Sequence, residues 1–102
     1  MKDHDPRVDL LLYVSPQSMA CARAARVMRE ILLRYDTADV SFTVRDLTHD
    51  PDEATNNRIV FTPTLLKRLP QPNVWIRGDL SKPDIVVDLL HTCGITPKIK
   101  EP

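Results

Sequence analysis

Glycine is scarce in this chain: two residues among 102, against nine prolines. The glycine-rich loops that cradle nucleotide phosphates are therefore excluded. Cysteine is equally scarce. The two present, Cys21 and Cys93, stand far apart and match neither a zinc nor a disulfide framework; two reduced thiols in the cytoplasm are the expectation. Charge of one sign is lacking too, because fourteen basic residues balance fourteen acidic ones. No global field draws the chain to nucleic acid or to anionic lipid. No apolar run approaches the about 20 residues needed to span a bilayer. The start, MKDHDPRVD, has neither the basic beginning nor the apolar stretch of a secretory signal, so neither a membrane nor an exported location is expected. His4, His49 and His91 show no ligand spacing. Asp50 with Asp52 and Glu53 reads as a helix cap and first-turn acids rather than a metal site. No metal, no cofactor and no catalytic constellation is expected, and hence no enzyme.

What remains is a chain with 42% hydrophobic and 27% charged residues, enough for one globular domain with one core. The core is expected over about residues 8–94, with polar tails on either side. VDLLLYV (8–14) is short, continuous and apolar, as suits a strand covered on both faces. Ala20, Ala24, Val27, Met28, Ile31, Leu32 and Tyr35 then fall on one helical face. Ser18 is the N-cap, and Asp36-Thr37 is expected to close the helix. VSFTVRD (40–46) alternates as a half-buried strand. Asp50-Pro51 starts a short helix ending near Asn56-Asn57. An extended piece through Pro63 follows, then a turn at Pro70 and Pro72, a strand at 73–77, and a turn at Gly78-Asp79. Ser81, Lys82 and Pro83 open a last helix whose apolar face holds Ile85, Val86, Leu89, Leu90 and Cys93, with Gly94 as its stop.

The order is βαβαββα. A strand–helix–strand start implies a parallel pair with a right-handed crossover, and the short turn near Pro70–Pro72 implies an antiparallel one. The predicted fold is α/β and thioredoxin-like: a four-stranded mixed sheet with helices on both faces.

Three stretches carry a resemblance to a known family. LLLYVSPQSMACARAARVMREIL, VRDLTHDPDEATNNRIVFTPTLLKRLPQP and WIRGDLS resemble, in nearly ungapped order, the KaiB family of circadian clock proteins. FTPTL, then LPQP, then GDLS at this spacing is the specific part. The resemblance implies a protein-binding regulator that docks on a KaiC-like RecA-type ATPase or on a signalling histidine kinase, in circadian timing or stress response. It also implies a second arrangement, βαββααβ, because some members exchange between a tetrameric ground state and a thioredoxin-like state. That leaves a homo-oligomer, dimer or tetramer, open for this chain. Pro63, Pro70, Pro72 and Gly78 are then turn residues in the part of the chain where the two folds differ.

Ser18-Met19-Ala20-Cys21 stands where a thioredoxin-like protein carries CxxC, with the first, attacking cysteine replaced. Cys21 is either a small packing residue or the thiol of a redox protein. Thr62-Pro63-Thr64 resembles the cis-proline turn of that fold. Arg23 and Arg26 belong to a basic stripe on the first helix, either a solvated face or a contact for an acidic partner. Trp75 is either core or an interface anchor. Asp79, beside Gly78, completes the candidate partner-binding set.

Overall fold

The structure is a computed structural model, and it describes residues 6–78 and 80–98. Strand β1 (Val8–Val14) is central, with β2 (Val40–Asp46) on one side and β3 (Thr64–Leu69) on the other; β4 (Val74–Arg77) lies outside β3. The continuous apolar run of β1 is explained by this position. Val8, Leu10 and Leu12 face one core and Leu11 and Tyr13 the other, which only a strand covered on both sides requires. β1 and β2 are parallel, pairing Leu10 with Phe42 and Leu12 with Val44. β1 and β3 are antiparallel, with an irregularity between Asp9 and Leu10. β3 and β4 are antiparallel, pairing Leu66 with Trp75.

Helix α1 (Met19–Leu32) starts where its cap was expected, with the Cys21 amide donating to Ser18 Oγ at 3.1 Å. It ends earlier than expected. Leu33 is the C-cap, and the amides of Arg34 and Tyr35 donate to the carbonyls of Ile31 and Leu32, three residues back. This tightened last turn lets Tyr35 swing into the core, where it is buried. Asp36 caps the following turn instead, its Oδ1 accepting from the Ala38 amide at 2.9 Å. Helix α2 (Pro51–Asn56) has the expected start: Pro51 in its first turn, and Asp50 Oδ1 accepting from the Glu53 amide at 3.1 Å.

Helix α3 (Pro83–Thr92) buries Val86 and Leu90. Ile85, placed on the apolar face by periodicity, is 44% exposed, because this ten-residue helix meets the core along a narrower stripe. Cys93 is its C-cap, and Gly94 turns the chain out at φ +84°.

Helices α1 and α3 cover one face of the sheet, around Leu10, Leu12, Met28, Leu65, Val86 and Leu90. Helix α2 covers the other, around Leu11, Tyr13, Ala54, Ile59 and Leu66. This is the βαβαββα arrangement. Val74–Arg77 is extended and paired, so the second arrangement, βαββααβ, is not the one adopted here. No helix among the described residues is long and apolar enough to cross a membrane.

Candidate functional site

Two places invite chemistry. The first lies at the end of β1, where the chain turns into α1. Cys21 is 2% exposed, and its Sγ receives the Ser15 amide at 3.4 Å. The hydroxyl of Ser18 is committed to capping the helix. Beside it, Ser15 Oγ and Thr62 Oγ1 share a hydrogen bond at 2.7 Å, and Thr64 Oγ1 donates to the Phe61 carbonyl at 2.7 Å. The Thr62–Pro63 peptide bond is cis, and Pro63 is buried. The polar groups here hold the loop and the proline turn together. The thiol is covered, and neither Cys21 nor Cys93 is in a disulfide. Met19, Val60 and Phe61, at the start of α1 and just before Thr62, are exposed apolar side chains.

The second place is on the α2 face. Trp75 stands on β4 opposite Leu66 and is half-buried. Its Nε1 donates to the Asn57 carbonyl at 2.8 Å, which satisfies one of the carbonyls left open at the end of α2. Arg77 lies over the indole, its Cζ 6.0 Å from the ring centre, and donates to the Arg58 carbonyl at 3.4 Å. Arg58 holds a left-handed conformation, φ +62°, which turns the chain sharply after α2. Trp75, the end of α2 and residues 71–73 bound a cleft of about 450 Å³.

Beneath α2, Tyr13 donates to Glu53 Oε2 at 2.7 Å and accepts from Asn57 Nδ2 at 2.8 Å. Burial first, and then the Glu53 carboxylate, pushes the Tyr13 phenol above its ordinary range. Arg45 pairs with the same carboxylate at 3.5 Å. Asp46 is held below the usual carboxylate range by the hydroxyl and amide of Thr48.

The structure separates the predicted site residues. Arg23 and Arg26 are exposed on α1, across the sheet from Trp75. Pro70 and Pro72 lie in the β3–β4 turn, both preceded by cis peptide bonds. Gly78 follows β4 at φ +97° with open space around it. Asp79 lies outside the described residues. Cys21 is buried, and the described residues hold no group of three metal-ligating side chains. Sequence reasoning missed Arg58, Gln71 and Asn73, which stand beside Trp75 only because the end of α2 packs against the β3–β4 turn. The one signal was the run Asn56-Asn57, read there as a helix end.

The fold is thioredoxin-like, with serine at the position of that fold's attacking cysteine and the remaining thiol of α1 covered. The chain belongs to the KaiB domain family, whose signature matches residues 11–91. It is 36% identical over 85 residues to the circadian clock oscillator protein KaiB of Trichodesmium erythraeum, covering 80% of this chain and 82% of that one. It is 35% identical to KaiB1 of Synechocystis, covering 80% and 81%. Among solved structures, the N-terminal domain of Synechococcus elongatus SasA is similar in fold, with a TM-score of 0.72 at 23% identity over 91% of this chain and 87% of that one. Chloroplastic thioredoxin z is similar too, with a TM-score of 0.73 at 17% identity over 85% and 78%. The family is one of circadian clock proteins rather than enzymes.

Proposed function

We propose that this chain is a cytoplasmic protein-binding regulator that docks on a KaiC-like RecA-type ATPase, or on a related signalling kinase, in circadian timing or stress response. The observation that carries the reading is the match to the KaiB domain over residues 11–91, which runs from within β1 to within α3. The covered Cys21 supports it, since a buried thiol is poorly placed to attack a substrate. Trp75 is the docking anchor, since a half-buried tryptophan with arginines beside it is the composition of an interface hot spot.

The test is affinity capture of the tagged protein from its host's lysate, with and without ATP, followed by mass spectrometry. Retention of a RecA-type ATPase or a histidine kinase is expected, with loss of that protein from the Trp75→Ala variant. Captured proteins released by reductant, and lost in Cys21→Ser, would overturn the reading in favour of thiol chemistry.

A further inference from the structure

The outer edge of β2 is unguarded. The strand is seven residues long, holds neither proline nor glycine, and runs beside β1 without a bulge. Natural sheet edges are commonly blunted by proline, by bulges or by shortness. At the other edge, β4 has four residues and follows the Pro70–Pro72 turn. β2 has no such device, and among the described residues it pairs only with β1.

The pairing decides which groups face outward. The Val8 amide donates to the Asp39 carbonyl at 3.0 Å, and the Leu47 amide donates to the Val14 carbonyl at 3.0 Å. Main-chain groups alternate sides along a strand, so Ser41, Thr43 and Arg45, in step with Asp39 and Leu47, turn theirs toward β1. Val40, Phe42, Val44 and Asp46 turn amide and carbonyl to the open edge. Such a row is a template for a further strand.

The sequence of β2 is complementary to itself. A second β2 laid antiparallel across a two-fold axis at Thr43 puts Phe42 opposite Val44 and Val40 opposite Asp46 of the second copy. These are the residues whose main-chain groups face outward, so they form the hydrogen-bonded pairs. Thr43 meets its own counterpart, and Ser41 meets Arg45. Aromatic with β-branched and threonine with threonine are favourable cross-strand pairs, and no like charges stand directly opposed. Val40 and Phe42 belong to the core under α1. On that face a cavity of about 520 Å³ opens beside the edge, walled by Leu32, Leu33, Val40 and Phe42 together with Arg29. Leu33 is 75% exposed there. The same register carries Asp46 of the second copy to the Val40 end of this cavity, where its charge complements Arg29. The two-fold axis repeats that match on the other side.

We propose that this chain forms a two-fold dimer through β2, joining two four-stranded sheets edge to edge with the axis at Thr43. The contact is isologous, as closed dimers require. Trp75 lies on β4 at the opposite edge, so the dimer leaves that cleft open and does not depend on the partner-docking reading.

Sedimentation equilibrium of the full chain from about 1 µM to about 1 mM covers the range suited to a small interface. The mass is expected to rise with concentration from 11.6 kDa to twice that value. Thr43 is half-buried and does not belong to either core cluster. Thr43→Lys and Thr43→Glu each set like charges opposite one another and should weaken self-association severalfold. An equal mixture of the two should restore it, which neither an unfolded chain nor a contact elsewhere on the molecule does. Cysteine placement reads the register. Thr43→Cys should give a disulfide-linked dimer on air oxidation, above the wild-type background. Ser41→Cys should not, because its counterparts stand four residues apart, roughly 13 Å, beyond the reach of a disulfide. A wild type that stays at 11.6 kDa throughout overturns the proposal. Self-association left intact in both charge variants overturns it too, as does a Ser41→Cys form that cross-links as readily as Thr43→Cys.

Discussion

Asp9 sits on the central strand with 8% of its surface exposed, an expensive place for a carboxylate. Two donors from Arg68 make it tolerable, Nε at 3.0 Å and Nη2 at 2.7 Å, both to Oδ2. The arginine side chain itself is about half exposed, at 48%, so solvent screens part of the attraction. Removing it leaves the carboxylate buried and short of donors. Arg68→Ala is expected to lose about 1.5–3 kcal/mol, read as a lower denaturant midpoint at unchanged m value. Tyr13 offers a test by pH. Its phenol lies above the ordinary value of 10.0 in the folded chain, through burial first and the Glu53 hydrogen bond second. The folded state therefore holds this proton more tightly than the unfolded state does. The associated stability is complete below about pH 10 and disappears as pH rises through the folded value. Thermal unfolding from pH 8 to 11 should show that alkaline loss in the wild type and a shallower one in Tyr13→Phe. At neutral pH the variant should be weaker by about 1–2 kcal/mol for the hydrogen bonds removed.

Helices show how much of a structure is local. Asp50-Pro51 was legible because a carboxylate cap and a first-turn proline act within four residues, and α2 begins there. The end of α1 was not legible. Periodicity runs on through Tyr35, yet the helix stops at Leu32, because burying Tyr35 beside Val40 depends on a strand that arrives later in the chain. Ile85 fails for the same reason: spacing gives a face, and only packing gives its width. Helix α3 carries a further consequence. Its N-cap, Lys82, makes no side-chain cap hydrogen bond. Lys82→Asp supplies an acceptor and a favourable charge at the positive end of the helix. A gain of about 0.5–1 kcal/mol is expected, seen as a Tm rise of about 3–6 °C for a domain of this size. Asp50→Ala, the converse change on α2, should lose about 1 kcal/mol. A Lys82→Asp variant with unchanged Tm would mean that first turn is already satisfied.

At the scale of the molecule, the sheet divides the candidate surfaces. Element order, parallel start and antiparallel finish followed from alternation and turn chemistry, so much of the frame was readable before any contact was known, although the order of strands across the sheet was not. Nor was the cleft: Arg58 and Asn73 are joined by neither spacing nor periodicity. Lys67, charged yet 5% exposed within β3, is a similar case: its stem is covered because the strand is internal. The division also separates two readings of partner binding that the sequence left side by side. Arg23 and Arg26 are solvated residues on α1, on the far side of the sheet from Trp75, so one small contact area does not include both. Arg23→Glu with Arg26→Glu should change stability by no more than about 0.5 kcal/mol and leave the captured ATPase or kinase in place. Trp75→Ala should lose it while circular dichroism still reports the folded sheet. The opposite pattern, with capture lost on charge reversal and kept without the indole, would move the docking surface to α1, where an acidic partner would be recognised by long-range charge and its binding would weaken steeply with salt.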